Sequence, residues 1–377
     1  MKILLFANTD WYLYNFRLGL AKALRERGDQ VVLVSPDGDY SIRLQETGFR
    51  WVCFPMAPHG MKPLAEISTI LRLLWLYMRE KPDLVHHFTI KCVLYGSLVC
   101  HLIGIRRVVN SVTGLGFVFI ERDSENLRLR GLIKFLYRLI LNRTRVIFQN
   151  SSDKNLFLKY RLVKENQVSI IQGSGVDTNL FSPQSFLEGS PLVILPARLL
   201  WDKGVGEFVN AARQLKKDGL DARFALVGDT DIKNPAGIPS EQIKLWVDEG
   251  VVESWGWMDD MVEVYAQAHI VCLPSYREGT SKTLIEAAAC GRPLITCDVP
   301  GCREVVQLGI NGLLVSPRDV QDLVNAMRYL IQNPNERKIM GNAGRKIAED
   351  LFSIDLINSQ TITVYDLVQS SQLKREM

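Results

Sequence analysis

The stretch HIVCLPSYREGTSKTLIEAAACGRPLITCDVP, residues 269–300, decides the fold of this chain. It opens with a short apolar run, His269–Leu273, whose length and bounding Pro274 predict a buried strand. After a polar loop, Ser281 is placed to cap a helix, which Gly291 ends. The apolar face of that helix carries Leu284, Ile285 and Ala288. A second apolar run follows, so the stretch predicts one β-α-β unit.

Two carboxylates of this unit are placed to bind a ligand. Glu278 lies in the loop and Glu286 lies two turns along the helix, so the free N–H groups of the helix N-terminus fall between them. Such a terminus attracts phosphates. A carboxylate in front of it can bind sugar hydroxyls, and one further along can take a ribose. The spacing of the two glutamates suits a nucleotide sugar. The alternative is that this spacing arose by chance and that Glu278 is only a solvated loop acid near Arg277.

Length and composition limit the class of protein. A chain of 377 residues predicts two domains, and 47% hydrophobic with 23% charged residues is typical of globular proteins. No apolar run approaches the roughly 18 residues of a membrane span. The N-terminus predicts a first strand rather than a signal peptide. The seven cysteines are scattered without a CxxC pair, which favours reduced thiols in a cytoplasmic protein.

Charge is distributed unevenly. Residues 1–183 hold 25 Lys and Arg against 15 Asp and Glu, or +10, while residues 184–377 hold 20 against 26, or −6. The positive charge of residues 1–183 predicts that this half binds an anionic partner. The alternative is a basic face that is only solvated. Nucleic acid is disfavoured because no recognisable reading module accompanies the basic residues.

The N-terminal segment predicts a second β-α-β unit, with strands at 2–7 and 31–35 and a helix at 16–27. The intervening loop lacks GxGxxG, which disfavours a dehydrogenase. Arg17 lies at the start of the helix. It could contact a phosphate or be a surface residue, and we prefer the second interpretation. Residues 63–80 predict an amphipathic helix. Its apolar residues are Leu64, Ile67, Leu71, Leu74, Trp75 and Met78.

A strand at PDLVHHF contains His86 and His87, which point to opposite faces of the sheet and therefore cannot chelate one metal. One of the two could line the cleft at the end of the strand, but we expect each to be a hydrogen-bonded core histidine and expect no zinc site. The next strand, 107–111, runs into Thr113-Gly114-Leu115-Gly116. Two glycines at the carboxyl end of a strand let a backbone approach a ligand closely.

Residues 122–145 combine an apolar stripe with a series of cations. The stripe is Leu132, Ile133, Leu136, Leu139 and Ile140, and the cations include Arg128, Arg130, Lys134, Arg138, Arg143 and Arg145. A basic amphipathic helix can lie on an anionic membrane surface, or its stripe can pack into the core. We expect the stripe to face mainly inward and the arginines to face lipid headgroups or an acceptor diphosphate.

In the second half, Arg198 follows a predicted strand and Lys203 precedes a helix at 205–217. Two cations there would neutralise a diphosphate leaving group, which we favour over a role as surface charge. Gly256 and Trp257 end the segment 251–257, which follows an insertion with scattered Pro and Gly. From the residues alone, Trp257 could be a buried core residue.

The surroundings of the two glutamates resemble the donor-site signature of glycosyltransferase family 4. The matching runs are Leu-Pro-Ser at 273–275, Glu-Ala-Ala-Ala-Cys-Gly-Arg-Pro at 286–293, Pro-Gly-Cys-Arg-Glu at 300–304, and Gly-Val-Asp at 175–177. The resemblance implies an α/β protein of the GT-B fold, two Rossmann-like doubly wound domains facing across a cleft. Residues 1–183 would bind the acceptor, joined by a return helix at about 354–377, and residues 184–353 the nucleotide sugar.

The resemblance also implies roles for individual residues. Glu278 orients the sugar, while Arg198 and Lys203 hold the donor diphosphate, and these three form the catalytic set. The donor-binding set is Glu286, Gly279, Thr280, Ser281, Lys282, Gly256, Trp257 and Gly228. Within it, the resemblance implies that Gly256 and Trp257 contact the nucleotide base, with a buried core Trp as the equal alternative. The acceptor-side set is Thr113, Gly114, Gly116, Arg17 and Lys91. The N–H groups from Thr280 to Lys282 would also meet the diphosphate. Neither a metal nor a cofactor is expected, the UDP-sugar being a co-substrate.

The run from Thr113 is similar to a bacterial subgroup that transfers N-acetylhexosamine to saccharides linked to undecaprenyl diphosphate. This implies a UDP-sugar donor, with GalNAc or GlcNAc as the first candidates for the sugar, and a lipid-linked saccharide acceptor. It also implies a retaining reaction in the assembly of a surface polysaccharide or glycan. It also implies a cytoplasmic protein bound peripherally, through its basic half, to the inner face of the membrane. Many family members have His at position 113, and in retaining members the departing phosphate takes the acceptor proton instead.

Two observations keep alternatives open. Residues 280–282 are Thr-Ser-Lys where the family often has an aromatic or aliphatic residue and Pro, so the donor sugar is undecided. The rival functions are a nucleotide-sugar epimerase or hydrolase of the same build, and a noncatalytic nucleotide-sugar-binding subunit.

Overall fold

The structure is a computed structural model that describes residues 1–56, 63–114, 127–231 and 234–376. The chain forms two compact units, Met1–Ser174 with Asp355–Met377, and Gly175–Ile354. We call them the first and the second domain.

The first domain contains a sheet of seven parallel strands in the order β3-β2-β1-β4-β5-β6-β7. The strands are β1 (Lys2–Phe6), β2 (Gln30–Ser35), β3 (Arg50–Cys53), β4 (Leu84–Phe88), β5 (Val108–Val112), β6 (Arg145–Phe148) and β7 (Val168–Ile170). The helices are α1 (Asp10–Tyr12), α2 (Leu18–Glu26), α3 (Ser41–Glu46), α4 (Pro63–Glu80), α5 (Ile90–Ile103), α6 (Leu127–Leu141) and α7 (Ser151–Lys159). The central strands are apolar and buried on both faces, as a parallel sheet covered by helices requires.

The second domain repeats this topology with six strands in the order β10-β9-β8-β11-β12-β13. They are β8 (Leu192–Pro196), β9 (Arg223–Val227), β10 (Glu253–Ser254), β11 (Ile270–Leu273), β12 (Leu294–Cys297) and β13 (Gly312–Val315). The helices are α8 (Val205–Lys217), α9 (Ser240–Asp248), α10 (Met261–Gln267), α11 (Lys282–Ala289), α12 (Val320–Gln332) and α13 (Pro334–Phe352). Both domains are doubly wound, which confirms the predicted α/β class with two Rossmann-like sheets.

The β-α-β unit predicted from residues 269–300 is confirmed as β11-α11-β12. Ser281 caps α11, and its Oγ accepts a hydrogen bond from the backbone N–H of Leu284 at 3.4 Å. Leu284, Ile285 and Ala288 are buried in the core.

The first helical segment begins earlier than the sequence predicted, at Asp10 instead of residue 16. Thr9 caps α1 by accepting a hydrogen bond from the N–H of Tyr12 at 3.1 Å. A π-helical turn, Leu13–Arg17, then joins α1 to α2. A polar cap thus starts a helix inside a segment whose composition favoured a loop.

The last helix, α14 (Ile354–Glu376), packs in the first domain. Inside that domain, the hydroxyl of Tyr365 lies 2.6 Å from Nδ1 of His86. The compact units divide after Ser174, whereas the sequence placed the boundary after residue 183. The backbone explains the difference, because the N–H of Val176 donates to Phe352 and the N–H of Ile354 donates to Val176, both at 2.9 Å.

His86 and His87 are fully buried and hydrogen-bonded, as predicted. His86 also contacts the hydroxyl of Ser111 at 2.7 Å, and His87 contacts Asn110 at 2.8 Å and Tyr77 at 3.0 Å. Burial lowers the pKa of His86 well below its usual value and that of His87 to about 4. Both imidazoles are therefore neutral at pH 7.

The apolar residues of α4 do not all face the core. Ile67, Leu71, Trp75 and Met78 are exposed along one side of the helix. The buried positions are Leu73, Leu76 and Tyr77. The helix therefore presents an apolar stripe to solvent.

The expectation for α6 is also wrong in part. Leu136 and Leu139 are exposed, as is Phe135, while Ile140 is buried as expected. The side chains of residues 132 and 133 lie outside the described part of the helix. Nor does Arg138 simply point outward, since it donates to the carbonyls of Tyr160 and Arg161 at 3.0 and 3.1 Å. Among the described residues, no helix combines the length and apolarity needed to cross a membrane.

Candidate functional site

The candidate site of the second domain lies where the direction of strand order reverses. The chain proceeds from β8 outward through β9 and β10 on one side, and returns through β11 to β13 on the other. Arg198 and Lys203 follow the carboxyl end of β8, and Glu278 follows that of its neighbour β11. In open α/β sheets, ligands bind at such a switch point. The structure therefore brings the three predicted catalytic residues to the expected edge.

Lys203 and Glu278 form an ion pair across the switch point. The sequence assigned these residues to different parts of a ligand and did not predict this contact. Their side chains are 20% and 15% exposed, so the pair is reachable but partly shielded from water. The pair joins the loop after β8 to the loop after β11, and a phosphate that approached the ammonium group would share it with the carboxylate.

The Glu278 loop is held by the turn that follows β12. The N–H of Glu278 donates to the carbonyl of Pro300 at 3.2 Å. Gly301 has a φ of +86°, and a Cβ added there would overlap the carbonyl oxygen of Glu278. Its N–H donates to the carboxylate of Glu304 at 2.6 Å. Gly301 was noted only as part of the family signature, and the structure gives it the role of positioning Glu278.

The start of α11 offers fewer N–H groups than predicted. The N–H of Ser281 donates to the carbonyl of Gly301 at 3.1 Å, so it is already used within the protein. The expectation that all N–H groups from Thr280 to Lys282 meet a diphosphate is therefore wrong for Ser281. Gly279 and Thr280 are half-buried at the same end of the helix.

Glu286 lies one turn inside α11 and is 8% exposed. One carboxylate oxygen lies 3.3 Å from Nζ of Lys282, and the other lies 3.2 Å from the hydroxyl of Tyr265. Burial, and then the charge of Glu286, raise the pKa of the Tyr265 hydroxyl well above its usual value, so it remains a proton donor. Sequence reasoning missed Tyr265, because nothing in the pattern of α10 distinguishes it from a core aromatic residue.

Arg198 is the most accessible of the predicted cations. Its side chain is 59% exposed, and Nη1 lies 3.6 Å from Oδ2 of Asp231, an acid that the sequence did not single out. Such an exposed pair is weak. The guanidinium is therefore readily available to an anionic ligand.

The loops after β8, β9 and β10 are joined at Gly228 and Gly256. The N–H of Gly228 donates to the carbonyl of Gly256 at 2.8 Å. A Cβ at Gly228 would overlap the carbonyl oxygen of Ala197. Gly228 thus permits close approach of two backbones, while its predicted donor contact stays a prediction. Trp257 is 49% exposed, so the alternative of a buried core Trp is wrong. Its indole N–H donates to Asp259 at 3.1 Å.

The acceptor-side candidates lie at the carboxyl edge of the first sheet. Thr113 and Gly114 follow β5, and Lys91 lies in the first turn of α5, with Nζ 3.0 Å from a carboxylate oxygen of Glu66. Gly116 lies outside the described residues. Their contact with an acceptor stays a prediction.

Arg17 is buried, so the preferred interpretation as a surface residue is wrong. It is 5% exposed, donates to the hydroxyl of Tyr12 at 2.8 Å, and lies 4.4 Å from the ring centroid of Phe88. The π-helical turn directs it inward, which the sequence pattern could not indicate.

Comparison with known proteins decides the family. A model described as "Glycosyl transferase 4-like" matches residues 2–151, and one described as "Glycosyl transferases group 1" matches residues 190–333, so the two models together span most of both domains. The chain belongs to the family 4 glycosyltransferases. The predicted family is thus confirmed, as is the prediction that the protein is a glycosyltransferase.

Individual relatives agree with this assignment. The glycosyltransferase is 27% identical to N,N'-diacetylbacillosaminyl-diphospho-undecaprenol alpha-1,3-N-acetylgalactosaminyltransferase of Campylobacter jejuni, over 98% of this chain and 99% of the relative. It is 25% identical to UDP-Gal:alpha-D-GlcNAc-diphosphoundecaprenol alpha-1,3-galactosyltransferase of Escherichia coli, over 72% of each chain. A solved glycosyltransferase from Rickettsia africae has the same fold, with a TM-score of 0.80, 17% identity and 98% of each chain covered. The predicted GT-B fold class is therefore confirmed.

Proposed function

We propose that this glycosyltransferase transfers a sugar from a UDP-sugar to a saccharide linked to a polyprenyl diphosphate. The first candidate for the sugar is an N-acetylhexosamine. The observation that carries the proposal is the ion pair of Lys203 and Glu278 at the switch point between β8 and β11, where Arg198 also follows β8. The Campylobacter jejuni relative, whose name gives a diphospho-undecaprenol acceptor, supports this acceptor class because the match spans nearly both chains. The Escherichia coli relative, whose name gives a UDP-sugar, supports the donor class.

The residues of the site suit departure of a diphosphate. As the bond between the sugar C1 and the diphosphate oxygen breaks, negative charge accumulates on that oxygen. Arg198 and Lys203 supply cations at this point, and their positive charge lowers the energy of the developing anion. Lys203 is then shared between the phosphate and Glu278, which leaves the carboxylate to accept hydrogen bonds from sugar hydroxyls.

Glu286 is suited to hold the ribose. Tyr265 and Lys282 each engage one of its oxygens, which fixes the orientation of the carboxylate. Each carboxylate oxygen has a further lone pair, so two ribose hydroxyls can donate to it without displacing those partners.

We further propose that the reaction retains the anomeric configuration. The acceptor oxygen bonds to C1 on the face that the diphosphate leaves, and the departing phosphate oxygen takes the acceptor proton. No protein base is assigned to this step, in keeping with Thr113 at the position where many family members have His. Neither a metal nor a cofactor has a role in the proposal.

We also propose that the first domain lies peripherally on the cytoplasmic face of the membrane that holds the lipid-linked acceptor. Its net charge supports attraction to anionic lipid, and the exposed apolar residues of α4 and α6 provide side chains that can enter the headgroup region.

A donor and acceptor screen tests the proposed function. The protein is incubated with UDP-GalNAc, UDP-GlcNAc, UDP-Gal, UDP-Glc and GDP-mannose, with and without a polyprenyl-diphosphate-linked saccharide, and released nucleotide is measured. We expect release from a UDP-sugar only when acceptor is present. Release without acceptor would instead favour the hydrolase alternative, and no turnover with any UDP-sugar would overturn the donor assignment. NMR of the product linkage tests retention.

A further inference from the structure

A pocket of about 930 Å³ opens in the first domain, away from the acceptor-side candidates Lys91, Thr113 and Gly114. Two of its lining residues, Arg143 and Arg145, belong to the basic segment 122–145. Three of its lining cations precede neighbouring strands: Arg106 precedes β5, Arg143 precedes β6 and Lys164 precedes β7. The pocket therefore lies at the amino-terminal edge of the sheet, whereas Thr113 follows the carboxyl end of β5. A strand rises roughly 3.3 Å per residue, so the five residues of β5 separate the pocket from the acceptor-side candidates.

The lining of this pocket carries charge of one sign. Its ionisable side chains are Arg106, Arg143, Arg145 and Lys164, with His101 beside them and neither Asp nor Glu among the lining residues. Within the described parts of the chain, none of the four cations takes part in a salt bridge. Like charges around one cavity repel each other, so an anion placed between them is stabilised. Arg145 already donates through Nη1 to the carbonyl of Asn166 at 2.5 Å, so Arg106, Arg143 and Lys164 are the cations most available to such an anion.

A structural role at helix ends does not account for these cations. Helices α5 and α6 both end at the pocket, and cations near a helix C-terminus often serve its last carbonyls. Here two of those carbonyls, one from each helix, already have other donors. The carbonyl of Cys100 accepts from the N–H of Ile105 at 2.9 Å. The carbonyl of Leu141 accepts from the N–H of Thr144 at 3.1 Å and from the side-chain amide of Gln167 at 3.0 Å. The cationic groups are thus not required as caps for these two carbonyls.

We propose that this pocket binds a phosphate-bearing anion at a site separate from that of the donor. Its volume exceeds what a single phosphate fills and falls in the range of small-molecule sites. The cations Arg106, Arg143 and Lys164 are exposed, while Val108 and Val368 form a buried apolar part of the lining. The ligand therefore carries phosphate toward the rim and an uncharged part toward the floor. An anionic phospholipid headgroup and a soluble phosphate compound share this chemistry.

The soluble arm of the test measures binding of inorganic pyrophosphate by calorimetry in the presence of saturating UDP, which occupies the donor site. The double variant Arg143→Gln/Lys164→Gln is compared with Lys22→Gln/Lys159→Gln, which removes the same charge from exposed positions outside the pocket. We expect the first variant to bind pyrophosphate at least tenfold more weakly and the control to bind like the wild type. Failure of UDP to bind would count against the proposed function alone, because the comparison between variants still reports on the pocket.

The lipid arm measures flotation of the same proteins with phosphatidylcholine vesicles that contain or lack phosphatidylglycerol. A headgroup site predicts a loss of binding to the anionic vesicles in Arg143→Gln/Lys164→Gln that the control does not show. Either arm alone supports the proposal and identifies the source of the phosphate. If the pocket variant matches the control in both arms, with its fold intact by circular dichroism, the proposal is overturned. The four side chains are then surface charge.

Discussion

The pairing of Lys203 with Glu278 is the contact on which the proposed chemistry depends. Each residue follows a different strand, and the pair forms because β8 and β11 are neighbours in the sheet. A cation and a carboxylate held together at a switch point can act on the two parts of one ligand that meet there, a diphosphate and the sugar attached to it. Their roles are therefore coupled.

This coupling predicts a non-additive mutant cycle. Glu278→Gln and Lys203→Met should each lower kcat by about a hundredfold, because each leaves its partner without a counter-charge and removes a contact to the transition state. The double variant should lose much less than the product of the two effects. The matched control is the exposed pair of Arg213 and Glu249 in the same domain, where Arg213→Met and Glu249→Gln should leave kcat unchanged. Additive losses at Lys203 and Glu278 would contradict coupling.

Gly301 provides a second test at the scale of one residue. Gly301→Ala places a Cβ against the carbonyl oxygen of Glu278 and should lower kcat/KM at least tenfold by displacing that loop. Gly309 is the control, since it has a similar φ of +75° but no neighbouring atom within 4 Å of an added Cβ. Gly309→Ala should cost about 1 kcal/mol of stability and leave kcat/KM unchanged. Equal activity of the two variants would remove the positioning role of Gly301.

Among the elements, the β11-α11-β12 unit was predictable and the orientation of α4 was not. An apolar run of strand length, an N-cap at Ser281 and a terminating Gly291 are local signals, and each acts within a few residues. The periodicity of α4 indicates that apolar residues share a face, but it does not say whether the sheet or the solvent meets that face. The buried residues Leu73, Leu76 and Tyr77 supply the core contact instead.

The exposed stripe of α4 should therefore contribute to membrane binding. Burying an exposed apolar side chain contributes about 1.5–3 kcal/mol, so Leu71→Ser/Trp75→Ser should lower partitioning into anionic vesicles at least tenfold in a flotation assay. Leu245 and Ile339 are similarly exposed in the second domain, and Leu245→Ser/Ile339→Ser serves as the control. Equal partitioning of both variants would mean that α4 does not enter the membrane.

Local sequence patterns also failed to identify two residues of the site, Tyr265 and Asp231. Tyr265 meets Glu286 and Asp231 meets Arg198 through contacts between elements that are distant along the chain. Such contacts arise from tertiary packing, which local periodicity does not encode. The candidate residues themselves were found because they follow strands, and the carboxyl ends of parallel strands share one edge of a sheet.

For the whole molecule, the buried histidines make the stability of the first domain depend on pH. The folded-state pKa of His87, about 4, lies below the unfolded value near 6.5, and that of His86 is lowered in the same direction. Between these values the unfolded chain binds more protons. The stabilisation is therefore complete above about pH 6.5 and is lost as the pH falls toward 4.

His87 alone should remove about 2 kcal/mol of unfolding free energy between pH 7 and pH 5, which corresponds to a fall in Tm of roughly 4–8 °C. Hydrogen exchange of the β4 amides, measured at increasing temperature at pH 7 and at pH 5, gives the thermal stability of the first domain at each pH. A stability of β4 that is the same at both pH values would show that the imidazoles are not held neutral by burial.

The most direct test of the central claim is a crystal structure of the glycosyltransferase with UDP bound. We predict the diphosphate against Arg198 and Lys203 near the amino end of α11, with the ribose hydroxyls donating to Glu286. A UDP molecule bound elsewhere, with Arg198, Lys203 and Glu286 making no contact to it, would contradict the claim.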